Sequence, residues 1–221
     1  MKNKYTSRLL VSLFACLLMW TWPAGAVTSP SEVKINIYGV AISQNSDCSN
    51  PTILFNSDVP SEVDFVTNPV LGAGAAAIGT YPCVIIKMSD LIKFRPAAND
   101  GATCVANTEY SIDLCRSNTG VNDNNTESFD GTVTTCAGTS QTGGGAAANI
   151  VYLHLSTAST SAGNSWRKPS HNGGTGGITL SSPLVISASI GAKFKADFRN
   201  QVSGAGASCD VNAPVFGFSK N

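Results

Sequence analysis

From residue 27 onward the chain alternates apolar and polar residues at every second position, and helical periodicity is nearly absent. Val33, Ile35 and Ile37 alternate with Lys34, Asn36 and Tyr38. Val151, Leu153 and Leu155 alternate with Ile150, Tyr152 and His154. Phe194, Ala196 and Phe198 alternate with Lys193, Lys195, Asp197 and Arg199. Successive strand side chains point to opposite faces, so this period is that of half-buried β-strands. In the longest run, Cys83 to Arg95, Val84, Ile86, Met88, Ile92 and Phe94 share one face, broken only by Asp90. That pattern predicts one long strand bent or bulged near Ser89-Asp90, or a hairpin turning there. Asp90 itself is expected to bond local backbone. A helical turn is allowed only at Ser89–Ile92.

Shorter candidates are Thr52–Asn56, Glu62–Val66, Tyr110–Leu114, Ser128–Thr135, Ile178–Leu180, Pro183–Ile190 and Pro214–Phe218. Together these make about ten strands with turn residues between them, a spacing that predicts an all-β antiparallel β-sandwich, Greek-key/Ig-like or jelly-roll-like, over βαβ units. The connections Ala137–Asn149 and Thr157–Gly177 are long and rich in Gly and Ser, which makes them surface excursions from one domain spanning 27–221.

Residues 1–26 change the compartment. Lys2, Lys4 and Arg8 precede an apolar run from Leu9 to Trp20, and Ala24-Gly25-Ala26 follows. A basic start, an apolar middle and small residues before the cut are the parts of a cleavable signal peptide. The apolar run is shorter than the roughly 20 residues that span a bilayer, so no membrane span is expected after signal removal. Leu13-Phe14-Ala15-Cys16 is a poor lipoprotein box, because Phe14 is bulky and the residues after Cys16 are apolar. The expected location is therefore periplasmic, cell-surface or secreted. Without the signal the chain holds 11 Lys+Arg and 14 Asp+Glu. That balance offers no basic footprint for nucleic acid.

The signal also removes Cys16, leaving Cys48, Cys83, Cys104, Cys115, Cys136 and Cys209. An even number in an exported chain predicts disulfides, here three. Zinc would need close ligand pairs, and no two of these cysteines are near enough. Pairing is open among 15 arrangements, and Cys104–Cys115 is favoured because it closes a short excursion before Tyr110–Leu114.

Candidate chemistry is sparse. No Gly-x-Ser-x-Gly elbow is present, and the only histidines are His154, on a strand, and His171, in a Gly-rich loop. The Gly clusters lack the Lys-Ser/Thr and following helix of a phosphate cradle. Asp123, Asn125, Glu127 and Asp130 could supply alternating oxygens to Ca²⁺, but Ser128 and Thr134 stand where an EF-hand needs Gly and Glu. A solvated Asn/Asp turn before the strand at Ser128 is the favoured reading, and no cofactor is expected. Trp166, Arg167 and His171 could contact a protein or glycan partner, an aromatic face flanked by cations.

Gly79-Thr80-Tyr81-Pro82-Cys83-Val84-Ile85-Ile86 resembles the strand start common in secreted β-sandwich modules, which implies fold alone. The reading reached is an exported, non-catalytic protein with a binding or structural role at the cell envelope. A calcium- or carbohydrate-binding module is the first alternative, and a hydrolase with a site assembled from distant residues the second.

Overall fold

The computed structural model describes residues 27–67, 69, 71, 75–114, 125–135, 150–159, 177–188 and 192–220. Regular structure among them is all β, in fifteen strand segments with no helix, more and shorter than the ten expected. The principal sheet is a curled half-barrel and not clearly one layer of a sandwich.

Its centre is β1 (Pro30–Ser43). One edge of β1 pairs with β2 (Thr52–Asp64) from Lys34↔Asp64 to Ile42↔Thr52. The other edge pairs first with β5 (Leu91–Pro96), through Lys34↔Lys93, and then with β4 (Cys83–Ser89), through Ile37↔Met88. Two β1 residues thus face the four residues 89–92, so β4 and β5 are one long strand bulged at Ser89-Asp90. The bulged-strand expectation holds, and the helical turn does not form. Asp90 is buried there, and its carbonyl accepts the N–H of Leu114.

The far edge of this composite strand is shared. β6 (Tyr110–Asp113) pairs β5 through Leu91↔Asp113, and β9 (Ile150–Ser156) pairs β4 through Ser89↔Ile150. Both run antiparallel to it, so the chain leaves one strand line after Leu114 and rejoins the same line at Ile150. Within that excursion, β7 (Asn125–Glu127) and β8 (Val133–Thr135) form a hairpin. The single strand expected over Ser128–Thr135 is thereby corrected: Ser128 to Gly131 is the turn, with Gly131 at φ 83°. Thr52–Asn56 and Glu62–Val66, expected as two strands, are the ends of β2. They are separated by an unpaired stretch where the Ser57 hydroxyl accepts the Val59 N–H and Pro60 has none to give.

The sheet curls on through β10 (Ile178–Thr179), which pairs β9 in parallel. Leu180 bridges to Phe216 of β15 (Val215–Lys220), and β15 pairs antiparallel with β12 (Ala192–Asp197). Two short ribbons complete the described structure: β3 (Gly79–Tyr81) with β11 (Leu184–Ile186), and β13 (Val202–Ser203) with β14 (Asp210–Val211).

The alternation sorts the core. Ile35, Ile37, Ile42, Ile86, Met88, Leu153 and Leu155 line the concave face, all fully buried. They meet Phe194, Phe198 and Phe216. Each such side chain contributes about 1.5–3 kcal/mol by leaving water. The convex face is covered too, which is why all seven residues of β4 are buried. There Ala41, Ile85 and Cys83 pack under Phe129 and Cys48. Ser43 and Ser156 reach across to the carbonyls of Ser49 and Ser46, tying the covering loop down.

Two disulfides are present, Cys48–Cys83 and Cys104–Cys209, with sequence separations of 35 and 105. The expected Cys104–Cys115 bridge is wrong. Cys104 lies in a turn bonded to the far end of the chain. Gly204 donates its N–H to Asp100 Oδ2 at 2.7 Å, and Thr103 Oγ1 donates to the Gly204 carbonyl at 2.8 Å. A Cβ on Gly204 would sit 1.9 Å from the Asp100 carbonyl oxygen, so only glycine permits this approach. Cys115 and Cys136 lie outside the described residues.

The loop-closure contribution of a disulfide grows with the logarithm of the loop. Replacing Cys104 and Cys209 by Ala is therefore expected to cost about 1 kcal/mol more than replacing Cys48 and Cys83. Urea unfolding of the two double variants checks this, and the reverse order would contradict it. Alkylation without reduction is expected to label no cysteine if all three anticipated bridges form.

A candidate binding cleft

The half-barrel is open where its two ends, β2 and β12, face one another without pairing. Between them lies a cavity of about 240 Å³. Its floor comes from Val40 and Ile42 of β1 and Val84 of β4, inward positions of the alternation. Leu54 and Phe55 of β2 form one wall, and Phe194 and Phe218 the other. Lys193 is the one charged side chain among the described residues lining it, and it lies exposed on β12 beside inward-facing Phe194.

Phe194 holds this wall in place. Its ring lies 6.0 Å from Phe65 edge-on, 5.6 Å from Phe216 stacked, and 5.2 Å from Phe218 tilted. Such ring pairs add about 0.5–1.5 kcal/mol each beyond their buried area. Beyond Phe194 and Pro69, which wall both spaces, lies a more open depression of about 280 Å³ lined by Phe65, Val66, Lys195, Asp197 and Arg199. Arg199 Nε lies 2.9 Å from each Asp197 oxygen, and these bonds hold the Asp197 carboxyl below its ordinary range.

A second polar feature lies on the convex face. Lys87 is 8% exposed, its ammonium donates to Asn56 Oδ1 at 2.7 Å, and it lies 6.0 Å from the Tyr38 ring centroid. Tyr152 is its cross-strand neighbour on β9. Burial, with the Asp130 charge behind it, raises the Tyr152 phenol. Sequence reasoning missed Lys87, although a lysine between Ile86 and Met88 was the available signal.

The residues singled out in the sequence do not gather at either place. Asn125 and Glu127 lie on β7, and Asp130 lies in the β7–β8 turn. There Asp130 accepts from the Ser128 hydroxyl at 2.5 Å and the Thr132 N–H at 3.0 Å. Asp123, Trp166, Arg167 and His171 lie outside the described residues. Among the described residues no group of three or more His, Cys, Asp or Glu could hold a metal ion. No helix there is long and apolar enough to cross a membrane. His154 and Asp90 are both 1% exposed.

The Ser128 hydroxyl, with the Thr132 N–H, lowers the Asp130 carboxyl to about 2. A depressed carboxyl pKa stabilises the fold above the unfolded value, and that contribution disappears as pH falls through about 2. Carboxyl-carbon NMR is expected to place the Asp130 midpoint near that value, and Ser128→Ala to move it upward. An unshifted midpoint in Ser128→Ala would contradict the assignment. Comparison with known protein families finds no matching model, and comparisons with curated proteins and with solved structures find no significant match.

Proposed function

We propose that the protein is an exported, non-catalytic binding protein of the cell envelope that holds a small apolar ligand between β2 and β12. The observation that carries this reading is the apolar cleft itself. Its walls are Ile, Val, Leu and Phe held on paired strands, with one cation at the lip. Concave, mostly apolar sites with few polar groups are what small-molecule binding requires. Keeping such a space open forfeits contacts that closure of the barrel would supply, so its retention favours use.

Export is supported by the form of residues 1–26 and by two disulfides, which persist in oxidising compartments. A purely structural role, in which chains join edge to edge, is disfavoured by β2. Its pairing with β1 is broken between Asn56 and Ser61, and that irregular stretch carries Asp58 and Pro60, features that blunt strand addition.

A neutral apolar fluorophore, N-phenyl-1-naphthylamine, is expected to bind saturably at one site with blue-shifted emission. Leu54→Trp and Ala192→Phe, which place bulk in the cleft, are expected to weaken that binding at least tenfold while unfolding cooperatively. An absence of saturable binding, or equal binding by both folded variants, would contradict the proposal.

A further inference from the structure

Resting on that reading, the geometry points to the chemistry of the ligand: we infer that the cleft takes an unbranched aliphatic carboxylate, with its chain between β2 and β12 and its head group at Lys193. The interior offers the chain no hydrogen-bonding side chain, since Val40, Ile42, Leu54, Phe55, Val84 and Phe194 are all apolar. A ligand with polar groups along its length would leave them unpaired there, which is costly. A hydrocarbon chain loses nothing. A cavity of about 240 Å³ is large enough to admit a hydrocarbon chain of medium length.

The lip decides the head group. Lys193 makes no ion pair among the described residues. Two residues along β12, on the same outward side, Lys195 lines the adjoining depression and also makes none. Arg199 is different, because its charge is matched by Asp197 at 2.5 Å. Lys193 is thus the cleft's one cation, without an ion pair among the described residues, and Lys195 sets a second positive charge in the adjoining depression, about 7 Å further along an extended strand. A carboxylate at the lip meets the Lys193 ammonium, while a cationic amphiphile is repelled by it.

The test is displacement of N-phenyl-1-naphthylamine by decanoate, decanol and decyltrimethylammonium, each kept below its micelle threshold. At low ionic strength decanoate is expected to bind about threefold tighter than decanol, the size of a solvent-exposed ion pair, and the ammonium compound weakest. About 0.5 M salt is expected to remove that preference, because it screens an exposed pair. Octanoate is expected to bind roughly tenfold more weakly than decanoate, from two fewer buried methylenes. Lys193→Met is expected to abolish the decanoate-to-decanol ratio, and Lys193→Arg to keep it.

Equal binding of decanoate and decanol by the native chain would overturn the inference, as would an undiminished ratio in Lys193→Met. In both cases displacement itself would still stand, leaving the apolar-ligand reading intact. Failure of every arm to displace, or of the fluorophore to bind, would instead reject that reading.

Discussion

Everything in this structure depends on β1 being paired along both edges and, from Gly39 to Ser43, buried on both faces. One edge holds β2, and the other holds the composite strand β4–β5. A strand in that position has no freedom of register, because a slip of one residue would send Ile35 and Ile42 to the wrong face. The Cys48–Cys83 bridge and the loop tied through Ser43 and Ser156 add a convex cover. The covered sheet then acts as a fixed floor, and the remaining elements are arranged by how far they can curl from it.

Two interruptions convert this floor into a molecule with a cleft. At Ser89-Asp90 the composite strand bulges, and the neighbouring strand line divides into β6 and β9, so the chain can leave the sheet between Leu114 and Ile150. Bulges increase local twist, which suits a sheet that curls instead of lying flat. At the other side, β10 gives only two paired residues before Leu180 passes to Phe216. The curl therefore continues into β15 and β12 and stops short of β2. Phe194, in contact with three other phenylalanines, fixes the position at which it stops.

Much of this was legible in the residues. The period-2 runs marked β1, β9 and β12, and unbroken parity from Val84 to Phe94 offered one bulged line or a hairpin, with Asp90 as the fault in either case. The connections were not legible. Ser128-Phe129-Asp130-Gly131 carries the alternation of a strand, but Gly131 at positive φ and the Asp130 bonds make it a turn. Cys104–Cys209 joins residues 105 apart, a distance no local argument about short excursions could reach. The cleft was invisible for a related reason. It is lined from β1, β2, β4, β11, β12 and β15, and each of its apolar residues reads locally as ordinary core. Lys193 likewise reads as the outward residue of an amphipathic strand, and only the far edge of β12, which pairs with no other strand among the described residues, gives it a different setting.

In this account the scaffold is rigid, the ends of its curled sheet are kept apart, and the space between them is the working part of the molecule. Methyl-labelled NMR during a decanoate titration tests that claim most directly. The account predicts saturable shift changes concentrated on the Val40, Ile42, Leu54, Val84 and Leu184 methyls, which line the cleft, with Val151 and Leu153 nearly unmoved. Shifts spread across the surface valines, or no saturable change at those five residues, would contradict it.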